Sequence, residues 1–137
     1  MTRQDGRGEG GRLALMSRWP ATIFVAVVIV VLSELPARTF PSDPLIPHAD
    51  KIVHFIEYLV LGLLLFRSLC HELSGNLRLA GIMTVLAGTL FGLGGEWRQS
   101  YVGRTADVWD LAADVAGLVC GVVCIIAAGR WRRKHVE

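Results

Sequence analysis

The sequence contains little charge, because only 19% of its 137 residues are Asp, Glu, Lys or Arg, whereas 53% are hydrophobic. An ordinary soluble domain has about a quarter of its residues charged, so this composition excludes that class. The formal net charge of +2 comes from arginines near the two chain ends and gives no indication of a nucleic-acid partner. The composition therefore indicates a membrane protein.

Cysteine is also scarce, with three residues that lack the paired spacing of a disulfide framework or a zinc site. Cys120 and Cys124 lie four residues apart in an apolar run, where small residues commonly serve helix packing. We interpret them and Cys70 as packing residues; the alternative is a redox pair. The sequence contains neither an HExxH motif nor a nucleophile elbow, so it carries no familiar hydrolase motif.

Four apolar runs are long enough for membrane helices, and we predict an all-α integral membrane bundle of four transmembrane helices. The predicted spans cover residues 19–35, 52–70, 77–95 and 108–129. We favour an uncleaved first span over a signal peptide ending near Ser33. After a proline-rich loop, Asp50 is expected to cap the second span. The predicted parts of the chain are a disordered basic tail at 1–18, a four-helix membrane domain at 19–129 and a basic tail at 130–137.

Lysine and arginine are distributed unevenly across the segments that join the spans. The two tails and the connection between spans two and three hold ten of them: Arg3, Arg7, Arg12, Arg18, Arg67, Arg78, Arg130, Arg132, Arg133 and Lys134. The other two loops hold Arg38, Lys51, Arg98 and Arg104. Because basic loops tend to remain in the cytoplasm, both termini should be cytoplasmic in a multi-pass protein of the cell (plasma or inner) membrane.

The other ionisable residues collect at the opposite, outer ends of spans two, three and four. On span two, Asp50, His54 and Glu57 follow one helical stripe with Tyr58 beside it. A charged side chain in the membrane costs about 2.5 to 3.5 kcal/mol, so these groups should share a water-accessible pocket. The predicted binding pocket contains Asp50, Lys51, His54, Glu57, Tyr58, Glu96, Gln99, Arg104, Asp110 and Asp114.

Glycines lie below these polar residues, where they let helix backbones approach closely in lipid. The predicted packing positions are Gly62, Gly88, Gly92, Gly117 and Gly121. Gly117 and Gly121 form a GxxxG pattern, which packs either within one chain or between copies in a homo-oligomer.

The outer ends of the spans hold more carboxylates than basic residues, with Asp107 counted among the acids and Arg98 among the bases. The excess indicates shared protons, a protonated His54 or a bound cation. We expect no cofactor, with a divalent cation as the alternative.

In these residues the chain resembles the VanZ-like family of small bacterial membrane proteins. The resemblance runs from Asp50 to about Gly121 through four ordered motifs: Asp50-Lys51-x-x-His54-Phe55-x-x-Tyr58 with Gly62, Glu96-x-x-Gln99, Gly103-Arg104, and Asp110-x-x-x-Asp114-x-x-Gly117-x-x-x-Gly121. Asp114 departs from the family, which usually has Asn there. The family is named for a protein that gives low-level resistance to the lipoglycopeptide teicoplanin. This implies a role at the outer face of the cell membrane.

Three hypotheses about function follow. The first is a binding or accessory protein of the cell envelope, in which Lys51 and Arg104 hold the anionic head group of a lipid-linked cell-wall intermediate or a lipoglycopeptide, while carboxylates and Gln99 bind amines and hydroxyls. The second is an intramembrane hydrolase or transferase, with His54 as a general base oriented by Asp50 or Glu57, or with a metal held by His54, Glu57, Glu96 and Asp110. The third is a structural membrane protein without a ligand, in which the polar groups only fix helix packing.

Overall fold

A computed structural model describes residues 19–34, 49–101 and 108–135, and these residues form helices without any strand. The helices are α1 (Trp19–Glu34), α2 (Ala49–Glu72), α3 (Leu77–Tyr101) and α4 (Val108–His135). The predicted tail at 1–18, the proline-rich segment up to residue 48 and Arg104 lie outside the described residues. Gln99 is placed by its helix alone, because its side chain is not described.

Three of the helices have the length and apolar composition needed to cross a membrane: α2, α3 and α4. Helix α1 is more apolar than these three but has 16 residues, which rise about 24 Å and fall short of a hydrocarbon core about 30 Å thick. The predicted all-helical class is therefore confirmed, and three of the four predicted spans meet the criteria for a membrane helix.

Three helices extend beyond the predicted span boundaries, and α3 runs to Tyr101 instead of ending at residue 95. Helix α2 begins at Ala49, so Asp50 lies in its first turn and the predicted cap position is wrong. A carboxylate in the first turn still interacts favourably with the positive end of the helix dipole. Helix α4 continues to His135, so residues 130–135 prolong the last helix, because nothing in that run of basic residues interrupts a helical backbone.

A tight turn joins α2 to α3 and fixes them as an antiparallel hairpin. Ser74 and Gly75 adopt positive φ angles of 51° and 79°, and the Gly75 amide donates to the Cys70 carbonyl at 2.8 Å. This bond closes the C-terminal end of α2 as in a Schellman motif, with Ser74 in the left-handed position that glycine usually occupies. Asn76 then caps α3, since its Oδ1 accepts a hydrogen bond from the Leu79 amide at 3.1 Å.

Helices α2 and α4 form the closest helix pair and run in the same direction. A β-carbon on Gly117 would meet the Phe55 carbonyl oxygen, and one on Gly121 would lie 2.8 Å from the Leu59 carbonyl oxygen. Residue numbers therefore increase together along the contact, which defines a parallel pair. The absence of side chains at both glycines permits this approach of the two backbones.

Helix α3 packs antiparallel against this pair. A β-carbon on Gly88 would lie 2.5 Å from the Leu118 side chain, and one on Gly92 would lie 2.9 Å from Asp114 Oδ2. Along this contact the residue numbers of α3 therefore decrease as those of α4 increase. A cluster of buried side chains, formed by Phe66, Ala80 and Val122, joins α2, α3 and α4 below these contacts.

Helix α1 packs antiparallel to α2 on another side of the bundle. Trp19 Nε1 donates to Glu72 Oε1 at 3.0 Å, and the Thr22 and Ser68 hydroxyls are hydrogen-bonded at 3.2 Å in a buried position. Further along α1, Ile29 joins a buried cluster with Tyr58, Leu61 and Leu118. Helix α1 therefore contributes to the same core as α2 and α4.

Candidate functional site

The helix directions bring the predicted polar residues to one end of the bundle. Helices α2 and α4 both begin at this end, and the antiparallel α3 finishes there. The stretches around Lys51, Glu96 and Asp110 therefore lie at the same level, which we call the paired-charge end. The described arginines of the α2–α3 connection and of the end of α4 lie at the opposite end.

An ion pair joins α2 to α4 in the outer layer of the paired-charge end. Lys51 Nζ donates to Asp110 Oδ1 at 2.8 Å and to Asp50 Oδ2 at 3.2 Å. The side chain of Asp110 is 13% exposed, whereas that of Asp50 is 53% exposed. The more buried contact is therefore the one between helices, while Asp50 keeps much of its contact with solvent.

A second polar pair joins the same two helices one turn deeper. His54 Nδ1 and Asp114 Oδ1 lie 3.0 Å apart, and Asp114 as a whole is 1% exposed. With Asp114 ionised, the Nδ1–H of His54 donates to the carboxylate. A neutral His54 then carries its lone pair on Nε2, the nitrogen that remains available for accepting a proton.

The second oxygen of Asp114 faces the backbone of α3. A β-carbon on Gly92 would lie 2.9 Å from Asp114 Oδ2 and 3.2 Å from the Tyr58 hydroxyl oxygen. The Tyr58 ring packs against Phe91 with its centroid 6.3 Å away. The Asp114 carboxylate is therefore enclosed by residues of α2, α3 and α4, and glycine at position 92 leaves the room that it occupies.

Other predicted pocket residues surround these pairs. Glu57 is half-buried and interacts electrostatically with His54 and Asp114. Glu96 of α3 interacts in the same way with Tyr58, and Asp110 with His54. The structure thus groups the acidic residues of three helices around one histidine and one tyrosine.

The structure differs from the sequence analysis in how α2 meets α4. The predicted stripe ran through Asp50, His54 and Glu57. His54 does contact α4, but the other interhelical contact comes from Lys51. The carboxylate that orients His54 is Asp114, not Asp50 or Glu57 as expected. A signal for both pairs was present in the sequence, because spacings of three residues on α2 and four on α4 each correspond to one helical turn.

The described residues bring together no group of three or more His, Cys, Asp or Glu side chains arranged to hold a metal ion. The four-ligand set considered from the sequence spans α2, α3 and α4, and its members enter different polar contacts. The divalent cation therefore stays a prediction, without a ligand set among the described residues.

A comparison with protein families shows which group the chain resembles over its length. The family model described as VanZ/LLP1 matches residues 12–129, which begins inside the predicted tail and includes α1, α2, α3 and most of α4. Comparisons with curated proteins and with solved structures found no match. The matched region contains both interhelical charge pairs and every glycine at a close helix contact. The chain, with its three long apolar helices, therefore belongs to the VanZ-like family of membrane proteins.

Proposed function

We propose that this protein is a binding or accessory protein of the cell envelope, which engages the polar part of an amphiphile at the outer face of the plasma membrane. The observation that carries the proposal is the convergence of α2 and α4 through Lys51–Asp110 and His54–Asp114. Charged groups are costly inside a membrane and are found there mainly where they serve a site.

The chemistry of the described residues favours a ligand with amine and hydroxyl groups. Lys51 already contacts two carboxylates, so its charge is largely neutralised within the protein. Glu57 and Glu96 add further acceptors beside the two pairs. Arg104, in the connection between α3 and α4, is the residue proposed to bind an anionic group of the same ligand.

The ligand class comes from the family resemblance. A lipid-linked cell-wall intermediate and a lipoglycopeptide of the teicoplanin type both combine an apolar chain with a large polar head. Such a molecule would place its chain beside the exposed apolar faces of the helices and its head at the paired-charge end. The outer location is supported by the basic residues of the opposite end, which favour the cytoplasm.

Binding to purified protein tests this proposal. Teicoplanin and a lipid-linked muropeptide are titrated into the full chain in nanodiscs, and the Kd is measured for the parent, Asp110→Asn and Arg104→Ala. We expect each variant to weaken binding about tenfold, as for the loss of one charge-assisted hydrogen bond. Glu72→Gln and Arg67→Ala, at the opposite end, are matched controls that should bind like the parent.

Two results would contradict the proposal. One is a parent protein that binds neither probe. The other is unchanged binding in both Asp110→Asn and Arg104→Ala, which would place the ligand elsewhere on the protein.

An intramembrane hydrolase or transferase is the second candidate, and the His54–Asp114 pair favours it. A carboxylate 3.0 Å from Nδ1 fixes the ring orientation and leaves Nε2 to accept a proton from an attacking water or substrate hydroxyl. Conversion of a lipid-linked substrate that is lost in His54→Gln, in a variant that remains folded, would support it. Mass-spectrometric metal analysis of the purified protein tests the metal-dependent version, which requires a stoichiometric divalent cation.

The structural hypothesis makes a different prediction from these two. If the polar groups only fix helix packing, variants at Asp110 and His54 will change the stability of the protein and nothing else. Stability and binding measured on the same samples therefore separate the three hypotheses.

A further inference from the structure

A shallow groove lies on α4 near the end of the bundle opposite the paired-charge end. Val123, Ile126, Ala127, Arg130 and Trp131 line it. Its apolar residues precede the arginine and the tryptophan along the helix, and the whole groove extends over about 12 Å. The groove thus changes from an apolar floor to a cationic and aromatic rim along the direction of the membrane normal.

The rim of the groove is part of a strongly basic surface. Arg130, Arg132 and Arg133 are all exposed on the last turns of α4. Arg67 and Arg78, also exposed, belong to the same end through the α2–α3 connection. Among the described residues, Glu72 is the one carboxylate at this end, and it accepts a hydrogen bond from Trp19.

We propose that this groove binds an anionic phospholipid. One acyl chain lies along Val123, Ile126 and Ala127, and the phosphodiester accepts hydrogen bonds from the Arg130 guanidinium. Guanidinium groups match phosphate geometry, and basic residues beside a membrane helix attract anionic lipid. The Trp131 ring, 63% exposed, lies at the level of the head groups, where amphipathic rings are preferred.

Charge complementarity selects this occupant over a zwitterionic lipid. A zwitterionic head group would place its own cation among Arg130, Arg132 and Arg133, whereas an anionic one adds no positive charge. The site lies at the opposite end from the site of the proposed function and does not depend on it. A bound anionic lipid would favour the placement of this end of the protein in the membrane leaflet that is rich in anionic lipid.

Native mass spectrometry of the full chain tests the proposal. The protein is released from micelles that contain equal amounts of phosphatidylglycerol and phosphatidylcholine, and the retained lipid is counted. We expect the parent to retain phosphatidylglycerol in preference, and Arg130→Ala to lower this retention about fivefold. Arg67→Ala removes the same charge outside the groove and should retain the lipid like the parent.

A fluorescence measurement reports the position of the lipid without a substitution at Arg130. Brominated phosphatidylglycerol should quench the emission component that disappears in Trp131→Phe, and brominated phosphatidylcholine should quench it less. Equal retention of the two lipids by the parent would overturn the proposal. Equal loss in Arg130→Ala and Arg67→Ala would also overturn it, since the whole basic surface and not the groove would then attract the lipid.

Discussion

His54 Nδ1 and Asp114 Oδ1 lie 3.0 Å apart, although 60 residues separate them in the chain. The contact joins α2 to α4 at a point where Asp114 has almost no exposure. Because the pair lies one turn below Lys51–Asp110, the two contacts together define the alignment of the two helices at this end.

The first prediction concerns the chemical role of the Asp114 side chain. Asn at this position can still accept a hydrogen bond from His54, so Asp114→Asn should stay within about 1 kcal/mol of the parent in stability. Asp114→Ala leaves a partly buried ring nitrogen without its partner and should lose about 1 to 3 kcal/mol. Unfolding by SDS titration in mixed micelles measures both. Equal losses in the two variants would mean that the negative charge, and not the hydrogen bond, stabilises the fold.

The second prediction is a coupling between Lys51 and Asp110. Their side chains are 25% and 13% exposed, so water still screens part of the interaction. A double-mutant cycle of Lys51→Met and Asp110→Asn should therefore give a coupling free energy of about 1 kcal/mol, again from SDS unfolding. The pair Lys51 and Asp50, with Asp50→Asn, should couple more weakly because Asp50 is more exposed. A larger coupling for Asp50 would contradict this order.

The third prediction compares two glycines of different helices. A β-carbon on Gly117 would meet the α2 backbone, whereas one on Gly94 has no atom within 4 Å. Gly117→Ala should thus force α2 and α4 apart and cost more than about 2 kcal/mol, while Gly94→Ala should be neutral or stabilising by up to about 1 kcal/mol. Thermal unfolding of both purified variants decides the matter. Similar Tm changes would argue against close packing at Gly117.

The fourth prediction concerns orientation in the membrane. In a background with Cys70, Cys120 and Cys124 replaced by Ala, cysteine is introduced as Ser42→Cys in the segment that precedes α2 or as His71→Cys at the other end. An impermeant maleimide that can reach the outer face of the plasma membrane should label position 42 while that membrane is intact. Position 71 should react only after the membrane is permeabilised. The reverse pattern would place the paired-charge end in the cytoplasm.

The helical class, the positions of the long apolar helices and the close glycine contacts were within reach of sequence analysis. An apolar run of about 20 residues has few alternatives to a helix in a membrane, and a GxxxG spacing marks a close backbone approach. Gly117 and Gly121 meet Phe55, Leu59 and Leu63 for this reason. Such local patterns need no knowledge of the neighbouring helix.

The pairing of charges was not predicted, because it depends on how two helices are aligned. The stripe through Asp50, His54 and Glu57 is a correct description of one face of α2. Which side of that face meets α4 also depends on the contacts of Phe55 and Leu59 with Gly117, about one helical turn below His54–Asp114. A rotation of α2 by a fraction of a turn exchanges Asp50 for Lys51 as the interhelical partner.

The parallel contact between α2 and α4 has a consequence for biosynthesis. A ribosome delivers α2 to the membrane before α3 and α4 exist, so during translation His54 has no Asp114 with which to pair. The nascent α2 must therefore remain near water, a chaperone or the insertion machinery until the last helix arrives. A chain truncated within the connection after α3 would keep this helix permanently without its partner, and such a product is expected to be removed by membrane proteases.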